Sequence, residues 1–269
     1  MKKSSNTVFA LKLIDSHAHL SFDAFKNDLD EVILRAQKAG VVAIINPTIS
    51  VSDFKNALKV AEKYPNVFPA LGLAPQIIEE ELLKEFLSAI NEFKENYIAI
   101  GECGLDFYWI TEPKKVQFML ESFKTILGIV EKLKKPLIIH ARSAHHKNAY
   151  VEIIELLETY NIKRAVFHAF LGSKKDVQAI LRGDWYISIP TVYVRRKDLW
   201  FIVNDIPLDR MLIETDSPYL ASRKGSRNEP SYIVDLLELI SRITGINKDD
   251  IAYILTKNAI DLFELKCIW

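Results

Sequence analysis

Eight short apolar runs, most of them rich in β-branched residues, recur along the chain, and longer segments of helical period separate them. The runs are "LKLIDSH", "VVAIINPT", "VFPALGL", "YIAIGECG", "PLIIHAR", "RAVFHAF", "WYISIPT" and "RMLIETD". Strands that alternate with helices pair in parallel, because a parallel connection needs a crossover of a dozen or more residues. Parallel strands are covered on both faces, so they read as nearly continuous apolar runs rather than as an in–out alternation. Eight such units predict an α/β fold, most economically a closed (β/α)8 barrel of the TIM type. The competing arrangement, an open doubly wound sheet, lacks its Gly-rich phosphate fingerprint after the first strand.

Helical spacing is clear in the intervening segments. In "FKNDLDEVILRAQKAG", Leu29, Val32, Ile33 and Ala36 share one face, and Gly40 is placed to end the helix. In "VQFMLESFKTILGIVEKLKK", Phe118, Phe123, Ile126, Leu127, Val130 and Leu133 form a wide stripe, with Pro136 opening the next strand. The final stretch, "NKDDIAYILTKNAIDLFEL", reads as a helix on the barrel exterior. No repeat, low-complexity tract or linker divides the chain. The expected organisation is a short extension, 1–12, followed by one barrel domain, 13–269.

Composition narrows the function. Lys plus Arg and Asp plus Glu are both 35, so no whole-protein positive field attracts nucleic acid, and any phosphate binding is local. No apolar run approaches the ~20 residues of a membrane span. The N-terminal lysines lack the cleavage pattern of a signal peptide, and the two cysteines, Cys103 and Cys267, suit a reducing cytosol. A cytoplasmic protein without an obligate protein partner is the expectation.

The C-terminal ends of the strands carry the chemistry. The first strand candidate ends with His17 and His19, side by side on one strand face, the fourth with Glu102, the fifth with His140, the sixth with His168 and the eighth with Asp216. In a barrel these ends ring one mouth, where active sites are built. One histidine at a strand end is ordinarily a hydrogen-bonded structural residue. Here four of the six histidines occupy such ends, with His145 and His146 in the loop just beyond. Buried ionisable groups are costly unless paired or metal-bound, so the joint pattern points to a metal centre. Imidazoles and carboxylates without thiolate suit Mg, Mn, Zn and similar ions. Six ligands exceed the three protein ligands usual for one catalytic zinc, and a carboxylate bridging two ions explains the surplus. Glu102, between the two histidine sets, is the natural bridge. Asp15 and Glu214 are candidate supports behind the ligands, or ordinary interior polar residues.

The motifs "DSHAHL" (15–20), "GECGLDFY" (101–108), "PLIIHAR" (136–142), "HAFLG" (168–172), "ETDSPYL" (214–220) and "RNEP" (227–230) resemble those of the TatD-like deoxyribonucleases, a branch of the amidohydrolase-type metal-dependent hydrolases. The resemblance runs from Leu13 to about Phe263. It implies a TIM barrel with two divalent ions: His17, His19 and Asp216 on the first, His140 and His168 on the second, Glu102 between them. It also implies cleavage of a DNA phosphodiester, expected as exonuclease action on single strands. Water activated by divalent cations would attack, with Asp216 as general base and Glu102 the second catalytic carboxylate. One departure stands out: the Gly-x-His-Pro stretch of the family reads "GLAP" (72–75), so Ala74 replaces a histidine of the phosphate-binding face. "HAF" in place of the more usual His-Cys-Phe is a lesser change.

Cations cluster in the expected rim loops: Arg142, "RRK" (195–197), Arg223, Lys224 and Arg227. These, with Asn228, are candidate contacts for a DNA backbone. Tyr108, Trp109, Tyr193 and Tyr219 are candidate stacking platforms for unpaired bases. Two alternatives stay open. One is a metal-dependent hydrolase of a small amide, lactone or phosphotriester. The other is a non-catalytic barrel that binds metal or nucleic acid.

Overall fold

The computed structural model describes residues 11–144 and 147–266. Most of the expected extension, both loop histidines His145 and His146, and Cys267 lie outside the described residues. The strands are β1 (Leu13–Asp15), β2 (Val41–Pro47), β3 (Val67–Leu71), β4 (Ala99–Asp106), β5 (Leu137–Arg142), β6 (Ala165–Phe167), β7 (Tyr186–Pro190) and β8 (Met211–Glu214). All neighbours pair in parallel, in the order β1 to β8. The two edges then meet: the Ser16 N–H donates to the Ile213 carbonyl at 3.1 Å, Asp216 N–H to the His17 carbonyl at 2.8 Å, and His19 N–H to the Ser217 carbonyl at 2.8 Å. The sheet is therefore a barrel and not an open doubly wound sheet.

The helices are α1 (Leu29–Lys38), α2 (Val51–Lys63), α3 (Glu80–Glu92), α4 (Pro113–Leu133), α5 (Ala149–Thr159), α6 (Lys174–Leu181), α7 (Trp200–Asp205), α8 (Ile233–Thr244) and α9 (Lys248–Phe263). Local chemistry sets their ends. Ser173 and Asp176 form a reciprocal capping box at α6. Gly40 has φ +89° after α1, where a Cβ would sit 2.5 Å from the Leu11 carbonyl oxygen. None of the described helices is long and apolar enough to cross a membrane.

The core has two layers. Outward-facing strand residues such as Leu13, Ile44, Leu71, Ile139 and Phe167 pack against the helices. Ile14, Ala43, Ile45, Ala70, Ala99, Ile138, Val166 and Leu212 fill the interior. Ala259, Leu262 and Phe263 of α9 join that interior cluster. The Thr256 hydroxyl donates to the Lys12 carbonyl just before β1, and Asn258 Nδ2 donates to the Leu208 and Met211 carbonyls at the start of β8. The last helix thus lies across the N-terminal mouth of the barrel as its floor, rather than on the exterior as its sequence suggested. Three small alanines in the interior leave room that Leu262 and Phe263 complete from below.

Phe263 is 2 % exposed. Phe263→Ala is expected to cost about 3–5 kcal/mol, the usual range for a buried Phe truncated in a well-packed core. A urea titration checks it; a loss under about 1 kcal/mol would mean that α9 does not close the barrel.

Candidate metal centre

The ligands sit just past the strands more than on them. β1 stops at Asp15, so His17 and His19 belong to an extended segment beyond it. That segment pairs irregularly with both neighbours: Ala18 N–H donates to the Ile45 carbonyl at 3.0 Å, and Ala18 bridges Ser217. His168 and Asp216 likewise follow the last residues of β6 and β8. Two of these turns use the left-handed region without glycine, with φ +45° at Ala169 and +56° at Asp216. Glu102 and His140 lie within their strands. Glu102 stands between Gly101 and Gly104, both at positive φ, where the register with β5 slips. A Cβ at Gly104 would fall 2.0 Å from the His140 carbonyl oxygen, so only glycine lets the two strands approach this closely.

The structure brings all six ligand candidates together. Glu102 divides its two oxygens. Oε2 lies 3.4 Å from His17 Nε2 and 3.5 Å from His19 Nε2. Oε1 lies 2.6 Å from His140 Nδ1 and 3.2 Å from His168 Nε2. Asp216 Oδ1 completes the first set at 3.7 Å from His17 Nε2 and 3.5 Å from His19 Nε2. The trios His17–His19–Glu102 and Glu102–His140–His168 each offer ligating atoms within 4.8 Å of one another, the spread that one cation requires. The donor set therefore suits divalent cations, with Glu102 common to both trios.

The side-chain protonation follows the same geometry. His19 Nδ1 is 3.1 Å from the Pro47 carbonyl, an acceptor only, so in the neutral ring Nδ1 holds the proton and the Nε2 lone pair faces the centre. Burial alone would raise the Glu102 carboxyl. The His168 charge and hydrogen bonds from His140, His168 and His17 outweigh it and hold Glu102 well below the usual carboxylate range. Burial pushes the His168 imidazole down, but Glu102 and Glu214 hold it well above its ordinary 6.5. His19 and His140 are raised against burial by Asp216 and Glu102, and by Asp106 and Glu102, respectively. His17 is lowered by burial and by the His168 charge.

Of the expected supports, Asp15 braces backbone more than imidazole. It accepts from His17 N–H at 3.2 Å and, across the barrel seam, from Thr215 N–H at 2.9 Å and the Thr215 hydroxyl at 2.6 Å. Glu214 stands behind His168 and not behind Asp216: Oε1 is 3.6 Å from His168 Nδ1 and accepts the Ala169 N–H at 2.5 Å. Asp106 was missed by the sequence reading. Its Oδ2 is 2.9 Å from His140 Nε2. The signal was available, since Asp106 lies four residues beyond Glu102 on the same strand. Gln76, two residues after Ala74, donates to Asp106 Oδ2 at 2.8 Å and had no sequence signal.

The centre floors a cavity of about 1550 Å³ whose walls include Phe22, Trp109, Arg142, Lys147 and Tyr219. Most of the substrate contacts expected from the rim have partners within the chain. Arg227 grips Asp28 with both terminal nitrogens, at 2.8 and 2.5 Å, and does not line the cavity. Asn228 is fully buried. It donates to the Thr191 hydroxyl at 2.9 Å and to the Thr215 and Tyr219 carbonyls at 2.6 Å, so it shapes the loop after β8. Arg195 serves the Ala221 carbonyl, Arg196 pairs with Asp198, and Arg223 stands 3.9 Å from Asp235. Tyr193 is buried, its hydroxyl on the Phe170 carbonyl. Arg142 differs: its guanidinium stacks over Tyr108 at 4.1 Å and Trp109 at 5.6 Å. Among the described residues no carboxylate pairs with it.

The chain matches the family described as TatD related DNase over residues 14–264. The chain belongs to the TatD family. Its relatives include a putative deoxyribonuclease tatdn3 of Danio rerio, 33% identical over 93% of this chain and 96% of that protein. Another is the uncharacterized metal-dependent hydrolase YabD of Bacillus subtilis (strain 168), 32% identical over 94% of this chain and 99% of that one. Among solved structures, YJJV, a TatD homolog from Escherichia coli K12, superposes with a TM-score of 0.85 at 25% identity, covering 95% and 99% of the two chains. As in the barrel derived above, the match spans the whole TatD fold.

If cations bind only the folded constellation, a divalent ion at about 100 times its dissociation constant should stabilise the chelator-treated chain by about 2.7 kcal/mol, measured by denaturant unfolding. The gain should shrink as pH falls. Each imidazole must be neutral to bind, and His168 takes up its proton already above 6.5. No stabilisation with any of Mg, Mn or Zn would mean that the cluster is not a cation site.

Proposed function

We infer that the chain is a divalent-cation-dependent phosphodiesterase acting on DNA, with exonuclease action on single strands. The observation that carries this reading is the Glu102 carboxylate, shared between two histidine pairs on the floor of a cavity whose wall holds an unpaired guanidinium. Two divalent cations, Mg, Mn or Zn, held by His17, His19 and Asp216 on one side of Glu102 and by His140 and His168 on the other, would supply water activation and charge for the phosphate oxygens. Asp216 faces the cavity and takes the proton of the attacking water as general base. Glu102 fixes the spacing of the two halves. Arg142, held flat on Tyr108 and Trp109, contacts a backbone phosphate beside the scissile one. Trp109 and Tyr108, with Tyr219 across the mouth, offer faces for unpaired bases. The names of the relatives, deoxyribonuclease and metal-dependent hydrolase, support the reaction class.

End-directed action is part of the reading: the lining mixes the cations Arg142 and Lys147 with Asp176, Asp198, Leu171 and Phe201, so it offers a phosphate backbone few contacts, which suits a strand end. A cytoplasmic setting is part of the reading, supported by the buried free thiol of Cys103.

The pairing of the rim arginines with Asp28, Asp198 and Asp235 favours one second reading, a hydrolase of a small phosphoester, amide or lactone. End-labelled single-stranded DNA separates the two. The expected result is stepwise shortening with Mg, Mn or Zn, abolished by chelator and by Asp216→Asn in a folded protein. Arg142→Ala should reduce the slope of log K against log salt for a single strand by about 0.7, the share of one phosphate contact, while Arg227→Ala leaves the slope alone. Intact DNA alongside turnover of a small ester would favour the second reading.

A further inference from the structure

We propose that Asp106 and Glu214 are positioning residues for the His140–His168 half of the centre and govern cation occupancy of that half in particular. This rests on the two-cation reading above. The two halves differ in what stands behind their imidazoles. His19 leans on a neutral backbone carbonyl, Pro47, at 3.1 Å, and His17 Nδ1 has no hydrogen-bond partner among the described residues. His140 instead has its Nε2 at 2.9 Å from Asp106 Oδ2; His168 Nδ1 makes no hydrogen bond among the described residues but faces the Glu214 carboxylate, with Oε1 at 3.6 Å. Both carboxylates are fully buried.

Each is also held in place. Asp106 Oδ1 accepts the Tyr108 and Trp109 N–H groups at 3.0 and 2.9 Å, and Oδ2 accepts from Gln76 at 2.8 Å. Glu214 accepts the N–H of Ala169, the residue that carries the left-handed turn directly after His168. The aim of the His140 imidazole is therefore set from behind, and a fixed carboxylate stands behind His168.

Charge explains why only this half needs them. The His17–His19 half has Asp216 as well as a share of Glu102, whereas the His140–His168 half has only its share of Glu102. A divalent cation buried there is under-compensated unless negative charge stands close behind the ligands. A carboxylate accepting the outer N–H of a ligand imidazole provides it, fixing the tautomer and raising the basicity of the inward nitrogen. Glu214 also comes within 4.8 Å of a His17 ring nitrogen, so Asp106, whose only ligand contact is His140, gives the sharper test.

The experiment is calorimetric titration of the chelator-stripped full chain with Mn. The wild type is expected to bind in two steps. Asp106→Ala should weaken one step by about 10–100-fold and leave the other unchanged, and Asp106→Asn should fall between. Nitrogen-15 spectra of the histidines in the metal-free protein give a second readout: the His140 Nε2 resonance shifts in Asp106→Ala, while those of His17 and His19 stay. If Asp106→Ala fails to fold, Asp106→Asn decides. Both steps weakened alike, or neither, overturns the assignment. A single step in the wild type overturns the two-cation reading itself, a different result from either.

Discussion

A carboxylate shared between two pairs of imidazoles is the constraint around which the rest of the molecule is arranged. Glu102 is 6 % exposed. Taking such an ion out of water costs several kcal/mol even after the protein relaxes. One charged partner at about 4 Å returns about 4 kcal/mol at the effective dielectric of a protein site, so a single contact barely breaks even. Four imidazoles around both oxygens decide the balance. In the metal-free state His19, His140 and His168 do so by holding protons, each raised against burial by the carboxylates beside it. Divalent cations would take the place of those protons against the same carboxylates. Proton affinity and cation affinity are thus one property of the constellation.

The barrel separates this costly arrangement from what supports it. At the C-terminal mouth, Ala169 and Asp216 occupy left-handed backbone without being glycine, at a cost of about 1–3 kcal/mol each. Four buried carboxylates, Glu102, Asp106, Glu214 and Asp216, crowd the same end. At the opposite mouth the buried polar side chains of α9, Thr256 and Asn258, serve backbone carbonyls. There α9 lays Leu262 and Phe263 against Ile14, Ala43 and Ile138, and offsets the strain above with apolar burial.

The sequence made the barrel and the ligand set legible for the same reason: both are periodic. Strand spacing is local, and a polar residue at the end of an apolar run is visible without knowing its partners. Asp106 was equally visible, at the same period beyond Glu102. The rim was not. Whether an arginine is free depends on a carboxylate that can be anywhere in the chain, and Asp28 lies far in sequence from the Arg227 it neutralises. The reading of Asn228 as a substrate contact failed likewise: its partners, Thr191, Thr215 and Tyr219, come together only when the loop after β8 closes. His17 and His19 were read as lying on one strand. Their convergence comes instead from an extended segment gripped by β2 on one side and the β8 loop on the other.

That correction changes how a chain of zero net charge would hold a polyanion. With Arg196, Arg223 and Arg227 neutralised by Asp198, Asp235 and Asp28, the cavity retains Arg142 and Lys147 as cations against Glu102, Asp216 and Asp176. In an empty centre the carboxylates of the floor are matched by protonated imidazoles, which leaves little net pull on phosphate. Occupied by two divalent cations, the same floor would turn positive, and the largest positive charges facing the backbone would be the cations themselves. In the proposed function, affinity for DNA and competence to cleave it are therefore coupled through Glu102. Arg142 stands apart because Tyr108 and Trp109 hold it by their ring faces, contacts that fix its position without cancelling its charge. It marks the side on which the strand lies whether or not the floor has turned positive.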